Sequence, residues 1–222
     1  MRGVTAAPHL GALAHALAEP VVLARSHARL LAEHDDRPAT AEHLRALERA
    51  TRQLEVLLHG IARLQRAAAA PAPAPTDLEP AVERAREHVA RRHDGAPGLE
   101  LRRAAPLPAV LADADLLVLL LEELLDNAIS HAEFGEVAVD VRAVRDGGDI
   151  VLELSDDGPG LPGPADAAFE PFRRLGPRAR RAHAGVGLAV CRAIAEAHGA
   201  GITLRPAAGG GTTVAVRFPE AP

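Results

Sequence analysis

The sequence predicts an α+β protein in which a helical amino-terminal half precedes a second half of mixed helices and strands. Two observations predict this division. Apolar residues recur three and four positions apart through the first seventy residues, as they do along amphipathic helices. From about residue 77 onward, short β-type segments and Gly-rich turns alternate with helical stretches. We therefore expect a helical unit at residues 1–70, a linker at 71–76 and an α+β domain at 77–222.

Composition narrows the class of protein. With 222 residues, of which 48% are hydrophobic, the chain can bury a large core. The formal charge of −5 disfavours nucleic-acid binding, although all 25 basic residues are Arg. The single Cys191 excludes an intramolecular disulfide and a Cys-rich zinc site, which favours a reducing cytoplasm. The longest apolar run, residues 116–121, is far shorter than the ~20 residues that span a bilayer, so we expect no membrane insertion.

The first seventy residues predict two helices joined by a turn. The first helix runs to about residue 34, and Thr40 is placed to cap the second. The apolar stripe of the second helix has coiled-coil spacing. Two helices cannot close a core alone, so we expect a symmetric dimer that forms a four-helix bundle; the alternative is packing on the chain's own second domain. The stripes contain Leu10, Leu13, Leu17 and Val21, then Leu44, Leu47, Thr51, Leu54, Leu58 and Ile61.

The elements of the second half follow from patterning and turn residues. The Ala/Pro-rich residues 67–76 predict an extended, semi-rigid segment. Asp113 is placed to cap a long apolar helix, and Asp146-Gly147-Gly148 predicts a tight β-hairpin. The predicted helices are 78–92, 116–132 and 188–198, and the predicted strands are 99–102, 137–144, 149–154, 202–205 and 212–218.

The helix predicted at residues 116–132 has an apolar first half, but its second half carries acidic and amide side chains, which suggests a function. Glu123 and Asn127 are four positions apart, so their side chains leave one face of the helix and can converge on one ion or water. Magnesium prefers such oxygen ligands and keeps waters and phosphates for its other positions. The alternative is a helix that ends in a solvated acidic turn.

Three glycine-rich segments accompany this helix. Asp156, at the end of a strand, precedes Gly158 and Gly160, so backbone can pass close to a ligand. The carboxylate could accept a hydrogen bond from an exocyclic amine of that ligand, such as that of adenine. Gly185 and Gly187 precede a helix whose amino end can meet phosphates. The third segment is residues 209–212. Each alone is a weak signal, because glycine-rich turns are common.

Together, these motifs resemble the ATP-binding catalytic domain of bacterial sensor histidine kinases, whose ATPase fold, an α/β sandwich, also occurs in type II topoisomerases. The resemblance covers about residues 77–219 and is similar in its last part to kinases attached to bacteriophytochromes. In order, the motifs are Glu123-Leu-Leu-Asp-Asn127, Asp156-x-Gly158-x-Gly160, Phe169-Glu-Pro-Phe172, Gly185-x-Gly187-Leu188 and Gly211-Thr212.

The resemblance implies roles for the matching residues. Asn127 would bind magnesium, with Glu123 as a second candidate ligand, and Asp156 and Thr212 would recognise the adenine of ATP. Gly158 and Gly160 would shape the pocket. A lid between Phe172 and Gly185 would be anchored by Phe169 and Phe172 and hinged at Gly185 and Gly187, which precede Leu188. Among the five Arg residues of the lid, Arg174 would contact the γ-phosphate. Ser130 stands where the family commonly has a basic residue.

The amino-terminal half contains a matching phosphoacceptor segment. His15-Ala-Leu-Ala-Glu-Pro20 has the family's spacing of His, Leu and Pro, and His15 lies about 200° around the helix from Leu13 and Leu17, away from the expected bundle core. His9, His27, His34 and His59 lack this spacing. Ala16 stands where the family has an acidic residue that orients the imidazole, and Glu19 could substitute from the next turn.

The sequence thus predicts a cytoplasmic, homodimeric histidine-kinase core with weak activity. The γ-phosphoryl group of ATP would pass to His15 and then to an aspartate of a response-regulator receiver domain, and the sensor would be a separate or missing module. Two alternatives stay open. One is a non-catalytic or phosphotransfer-only docking module for receiver domains, favoured by Ala16 and Ser130. The other is an anti-sigma-type protein serine kinase, which the exposed His15 disfavours.

Overall fold

The amino-terminal half forms a helical hairpin in the computed structural model, which describes residues 7–33, 37–93, 98–103, 105–131, 137–161, 163–173 and 185–221. Helices α1 (Ala7–Glu33) and α2 (Arg37–Ala67) pack against each other. Helix α2 begins earlier than predicted, so Thr40 lies inside its first turns and the predicted capping role of Thr40 is wrong. Pro20 is buried inside α1, which continues past it.

The second half is an α+β domain, as predicted. Its strands are β1 (Ala74–Asp77), β2 (Leu99–Arg103), β3 (Ala109–Ala112), β4 (Val137–Asp146), β5 (Asp149–Asp156), β6 (Gly201–Pro206) and β7 (Thr212–Pro219). Its α-helices are α3 (Leu78–Arg92), α4 (Ala114–His131) and α5 (Gly187–Ala197), with a short 3₁₀ helix at Ala165–Phe169.

Five strands form the main sheet in the order β2-β4-β5-β7-β6. The β2–β4 pair is parallel and the other neighbours are antiparallel. Gly147 and Gly148 have φ values of +63° and +89°, which is the backbone that the predicted Asp-Gly-Gly turn between β4 and β5 requires. The sheet packs against α3, α4 and α5 and forms an α/β sandwich with them.

The core lies between the helices and one face of the sheet. Strands β5 and β7 bury alternate residues, and their register places Leu152 opposite Val216 and Ile150 opposite Phe218. The apolar half of α4 is buried on most of its circumference, as its composition predicts. The opposite face of the sheet is charged, and there Glu153 accepts hydrogen bonds from Arg142 at 2.5 Å and Arg205 at 2.8 Å.

The Ala/Pro-rich segment before α3 is fixed against the second half. Its residues 74–77 form β1, which pairs antiparallel with β3. The backbone N–H of Ala72 donates to Asp113 Oδ2 at 3.0 Å, and the hydroxyl of Thr76 donates to the carbonyl of Ala112 at 2.9 Å. The sequence did not predict β1 or β3, because short Pro- and Ala-containing stretches lack β-type patterning.

Helix α2 contacts its own chain's second half. It packs on α5, and Leu57 and Ala67 belong to the same buried cluster as the α5 core residues. This face of α2 therefore packs on the chain's own second domain, which is the alternative to a contact within a dimer. On another face Leu44 and Leu58 are 50% and 60% exposed, with the exposed Thr51 between them.

Candidate functional site

Helix α4 places one carboxylate and one amide on a shared face. As predicted, Asp113 caps the helix, because its Oδ1 accepts hydrogen bonds from the N–H groups of Asp115 at 3.1 Å and Leu116 at 3.0 Å. The hydrogen bond from Ala72, followed by those from α4, lowers the pKa of Asp113. Glu123 is only 3% exposed, and Asn127, one turn later, is half-buried. This arrangement offers a buried carboxylate beside an amide that solvent can reach.

Asp156 lies at the centre of a glycine-rich cluster at the end of β5. Its Oδ1 accepts hydrogen bonds from the N–H groups of Gly158 at 2.9 Å and Thr212 at 3.2 Å. A Cβ added at Gly211 would overlap the carbonyl oxygen of Asp156 and lie 2.8 Å from Oδ1. Gly160, with φ of +80°, packs so closely that its Cβ would lie 3.4 Å from the carbonyl oxygen of Gly211. The fold thus joins two distant glycine segments around one oriented carboxylate.

A second cluster joins α4, α5 and the helical hairpin. Gly187 begins α5 directly over Glu123, since a Cβ there would lie 3.1 Å from Glu123 Oε2. The other oxygen, Oε1, contacts Nη2 of Arg63, which comes from α2. Burial lowers the pKa of Arg63, while nearby Asp126 and Glu122 raise it. Arg63 was not predicted from the sequence, because nothing in the spacing of α2 connects it to α4.

The residues predicted to flank a lid, Phe172 and Gly185, lie close together. Phe172 has a left-handed φ of +64°, and its N–H donates to the carbonyl oxygen of Gly185 at 2.8 Å. Phe169 is buried, and the guanidinium carbon of Arg192 lies 3.9 Å from its ring centroid, a cation–π contact. Leu188 packs on the core from α5. Arg174 falls outside the described residues.

Neighbouring positions of α4 contact α3 through Arg and His side chains. Arg92 contacts Glu122 at 2.7 Å and Asp126 at 3.4 Å, while His88 contacts Glu122 at 2.5 Å and His93 contacts Asp126 at 2.5 Å. These contacts hold Glu122 and Asp126 against α3, whereas Glu123 lies beside the start of α5. The hydroxyl of Ser130 donates to the backbone carbonyl of Asp126, four residues earlier in the same helix, at 2.6 Å.

The backbone of His15 lies within α1, but its side chain is outside the described residues, so its predicted exposure stays a prediction. Its neighbour Ala16 is half-buried and packs on the main core together with Leu17. Glu19 is exposed one turn later.

Outside these clusters, the described residues contain few groups suited to nucleophilic attack or metal binding. Cys191 is buried, and burial raises the pKa of its thiol, so it is unsuited to act as a nucleophile. Among the residues that the structure describes, no three His, Cys, Asp or Glu side chains lie together as metal ligands. Within the described ranges, no helix has the length and apolar character needed to cross a membrane.

Comparison with known families agrees with this geometry. The model of the histidine kinase-, DNA gyrase B- and HSP90-like ATPases matches residues 112–222, which include α4 and all three glycine segments. The chain belongs to this ATPase family.

Within the family, the matching relatives are sensor kinases. The Sensor protein KdpD of Mycobacterium tuberculosis is 32% identical over 217 residues, covering 93% of this chain and 25% of the relative. The chain therefore spans about a quarter of the length of this relative. The predicted relationship to bacterial sensor histidine kinases is confirmed, whereas the likeness to bacteriophytochrome kinases stays a prediction.

Solved structures show the same relationship. The mycobacterial sensor histidine kinase MprB is 28% identical, with a TM-score of 0.57 over 67% of this chain and 99% of that chain. Full-length ShkA in complex with AMPPNP is 25% identical, with a TM-score of 0.61 over 94% of this chain and 45% of that chain.

Proposed function

We propose that this chain is the kinase core of a two-component signalling system. It binds magnesium-ATP in the site formed by α4, β5 and α5, and it transfers the γ-phosphoryl group to His15. In this step the P–O bond to ADP breaks, a P–N bond to the imidazole forms, and the ring's N–H proton passes to a base. The phosphoryl group then passes to an aspartate of a response-regulator receiver domain. The proposal divides the chain into a hairpin at 1–70, a linker at 71–76 and an ATP-binding domain at 77–222.

The Asp156 cluster is the observation that carries this proposal. Two backbone N–H groups hold Oδ1 of Asp156, and the glycines leave no side chain between this carboxylate and the backbone of residues 211–212. An oriented carboxylate beside bare backbone suits the exocyclic amine of adenine, with Thr212 as a second contact. Gly158 and Gly160 shape this end of the site.

The phosphate end would lie between α4 and the amino end of α5. Asn127 would hold magnesium, and Glu123 one turn earlier would bind it directly or through a water. These residues fit the ion, because Asn127 is accessible to solvent while Glu123 supplies a buried carboxylate beside it. The bound ion neutralises phosphate charge. Gly187 and Leu188 begin α5, whose free N–H groups favour anions.

The lid completes the site in this proposal. The hydrogen bond between Phe172 and Gly185 brings its two ends together, and Phe169 anchors it under Arg192. Because its two ends are held together, the lid can fold over the phosphates, with Gly185 and Gly187 as hinges. Arg174, within the lid, is the proposed contact to the γ-phosphate.

The phosphoacceptor chemistry is expected to be slow. Ala16 supplies no carboxylate to orient the ring of His15, and Glu19 is exposed on the next turn as the substitute. General-base assistance is typically worth about 10²- to 10⁴-fold, so its loss slows the reaction without abolishing it. The same departure supports the second candidate, a docking module that binds receiver domains without autophosphorylation.

The hairpin is the proposed dimer interface and receiver-docking element. Leu44, Thr51 and Leu58 recur every seven residues and are exposed, and a groove at Leu44 and Thr51 is lined also by Leu47, Glu48 and Arg52. A heptad row of this kind, apolar except for Thr51, favours a second copy of the same helix, which would complete a four-helix bundle. We place the protein in the cytoplasm, where ATP and receiver domains are available.

Titration calorimetry on the full chain tests nucleotide binding. Magnesium-ATP should bind, and Asn127→Ala and Asp156→Ala should each weaken binding roughly tenfold or more, or about 1.4 kcal/mol. Asp140→Ala is the matched control, because Asp140 is an exposed acid on the neighbouring strand β4. No heat from the unsubstituted chain, or equal affinity in all four proteins, would exclude the nucleotide site.

A further inference from the structure

The hairpin forms an ion pair with the buried Glu123 of α4. Nη2 of Arg63 contacts Oε1 of Glu123, and their side chains are 29% and 3% exposed. Apart from this contact, these two atoms have no hydrogen-bond partner among the described residues. The buried charge of Glu123 therefore depends on Arg63, because a buried charge without a partner is strongly unfavourable.

The neighbouring acids on α4 do not share this dependence. Glu122 and Asp126 contact Arg92 from α3, and each also contacts a histidine. Among the described residues, Arg63 is the cation in contact with Glu123. Two elements thus contact the acidic part of α4: α3 contacts Glu122 and Asp126, whereas the hairpin contacts Glu123.

The contact uses one oxygen of Glu123 and leaves the other directed to the site. Arg63 holds Oε1, whereas Oε2 lies beneath Gly187 at the amino end of α5. Asn127, the proposed magnesium ligand, is one turn further along the same face of α4. A carboxylate held in this way can keep its second oxygen toward an ion or water at the phosphate end.

We propose that Arg63 is a positioning residue of the nucleotide site, which holds Glu123 so that Oε2 faces the magnesium and phosphates. This inference rests on the proposed function. Stability alone would not require the pair, since apolar residues of similar volume usually replace a buried ion pair without loss. An arginine here ties the orientation of a site carboxylate to the packing of α2 on α5.

Nucleotide binding and the packing of the hairpin on α5 are coupled through Arg63, and each affects the other. Because Arg63 comes from α2, Glu123 is held only while the hairpin packs on α5, so hairpin packing strengthens nucleotide binding. By linkage, nucleotide binding must strengthen hairpin packing by the same factor.

The test measures AMPPNP binding to the full chain by calorimetry, with and without magnesium. The variants are Arg63→Met, Arg63→Lys, Glu123→Gln and the double variant Arg63→Met/Glu123→Gln. Arg66→Met is the matched control, because Arg66 is exposed at the end of the same helix. Thermal unfolding of each variant checks that it folds.

We expect Arg63→Met to weaken magnesium-dependent binding roughly tenfold, with a much smaller effect when magnesium is absent. Arg63→Lys should recover part of the loss, Arg66→Met should match the unsubstituted chain, and Arg63→Met should add little once Glu123 is Gln. If Arg63→Met does not fold, Arg63→Lys and Glu123→Gln still test the positioning role, because both variants should bind AMPPNP more weakly than the unsubstituted chain when magnesium is present.

Unchanged binding in Arg63→Met would overturn the positioning role. Tighter binding would also overturn it, since Arg63 would then compete with magnesium for Glu123. An equal loss with Glu123 or Gln at position 123 would show that Arg63 acts elsewhere. Failure of the unsubstituted chain to bind AMPPNP would instead remove the nucleotide site, and this inference with it.

Discussion

Gly211→Ala tests the architecture of the Asp156 cluster, because the structure leaves no room for a side chain there. A Cβ at Gly211 would overlap the carbonyl oxygen of Asp156 and lie 2.8 Å from both its carbonyl carbon and its Oδ1. Real Cβ atoms essentially never come within 3.0 Å of such atoms. Strand β5 would have to move away from the turn before β7.

The adjacent Gly210 provides the matched control. Gly210 and Gly211 have φ values of +95° and +82°, so alanine strains the backbone by about 1–2 kcal/mol at either position. A Cβ at Gly210 meets nothing within 4 Å. At Gly211 the overlap adds about 1–3 kcal/mol, and loss of the hydrogen bond from the adjacent Thr212 N–H to Asp156 adds about 1 kcal/mol.

We therefore expect Gly211→Ala to destabilise the protein by about 2–4 kcal/mol more than Gly210→Ala does. Urea denaturation measures this difference, and AMPPNP titration should show at least a roughly tenfold loss for Gly211→Ala and almost none for Gly210→Ala. Equal stability and equal affinity in the two variants would refute the close approach of Gly211 to Asp156.

Three further predictions concern other parts of the chain. Leu44→Glu/Leu58→Glu should convert a dimer into a monomer in light scattering at micromolar concentration, while Val144→Glu, at an exposed apolar position on β4, should leave it dimeric; a monomeric unsubstituted chain would exclude the bundle. Asp113→Ala should cost about 1 kcal/mol at neutral pH through loss of the α4 cap. Because the pKa of Asp113 is lowered in the folded state, this stabilisation is present above the unfolded pKa and is lost as pH falls, so the gap from the unsubstituted protein should close below about pH 4; Asp115→Ala, at an exposed acid nearby, is the control, and a gap independent of pH would contradict the assignment. Ala16→Glu should raise autophosphorylation while leaving ATP affinity unchanged, at some cost in stability because Ala16 packs on the core; unchanged phosphorylation would argue against a missing carboxylate as the cause of slow transfer.

The sequence predicted the parts of the site whose signals are local. The polar end of α4, the cap at Asp113 and the turn glycines at 147–148 each depend on a few consecutive residues, and the structure contains all of them. The joining of Asp156 to Thr212 was anticipated only through the family resemblance. It depends on the pairing of β5 with β7 over more than fifty residues of sequence.

The features that escaped prediction depend on tertiary contacts. Strand β1 is Pro- and Ala-rich, and only its partner β3 makes it a strand. Arg63 has the same local pattern as other Arg residues of α2, and its role appears only when α2 packs on α5 and meets Glu123. The left-handed backbone of Phe172 accompanies a hydrogen bond from its N–H to the carbonyl of Gly185, which local sequence patterns do not reveal.

Phosphorylation with γ-labelled ATP tests the central claim most directly. The full chain is incubated with magnesium and labelled ATP, and the labelled protein is then treated with acid or alkali. The proposed function predicts a weak label that is lost in acid, survives alkali and is absent from His15→Gln, although that variant still binds ATP. Label that survives acid and is lost in alkali would indicate a serine kinase instead. Label that persists in His15→Gln, or no label at all despite bound ATP, would contradict phosphoryl transfer to His15.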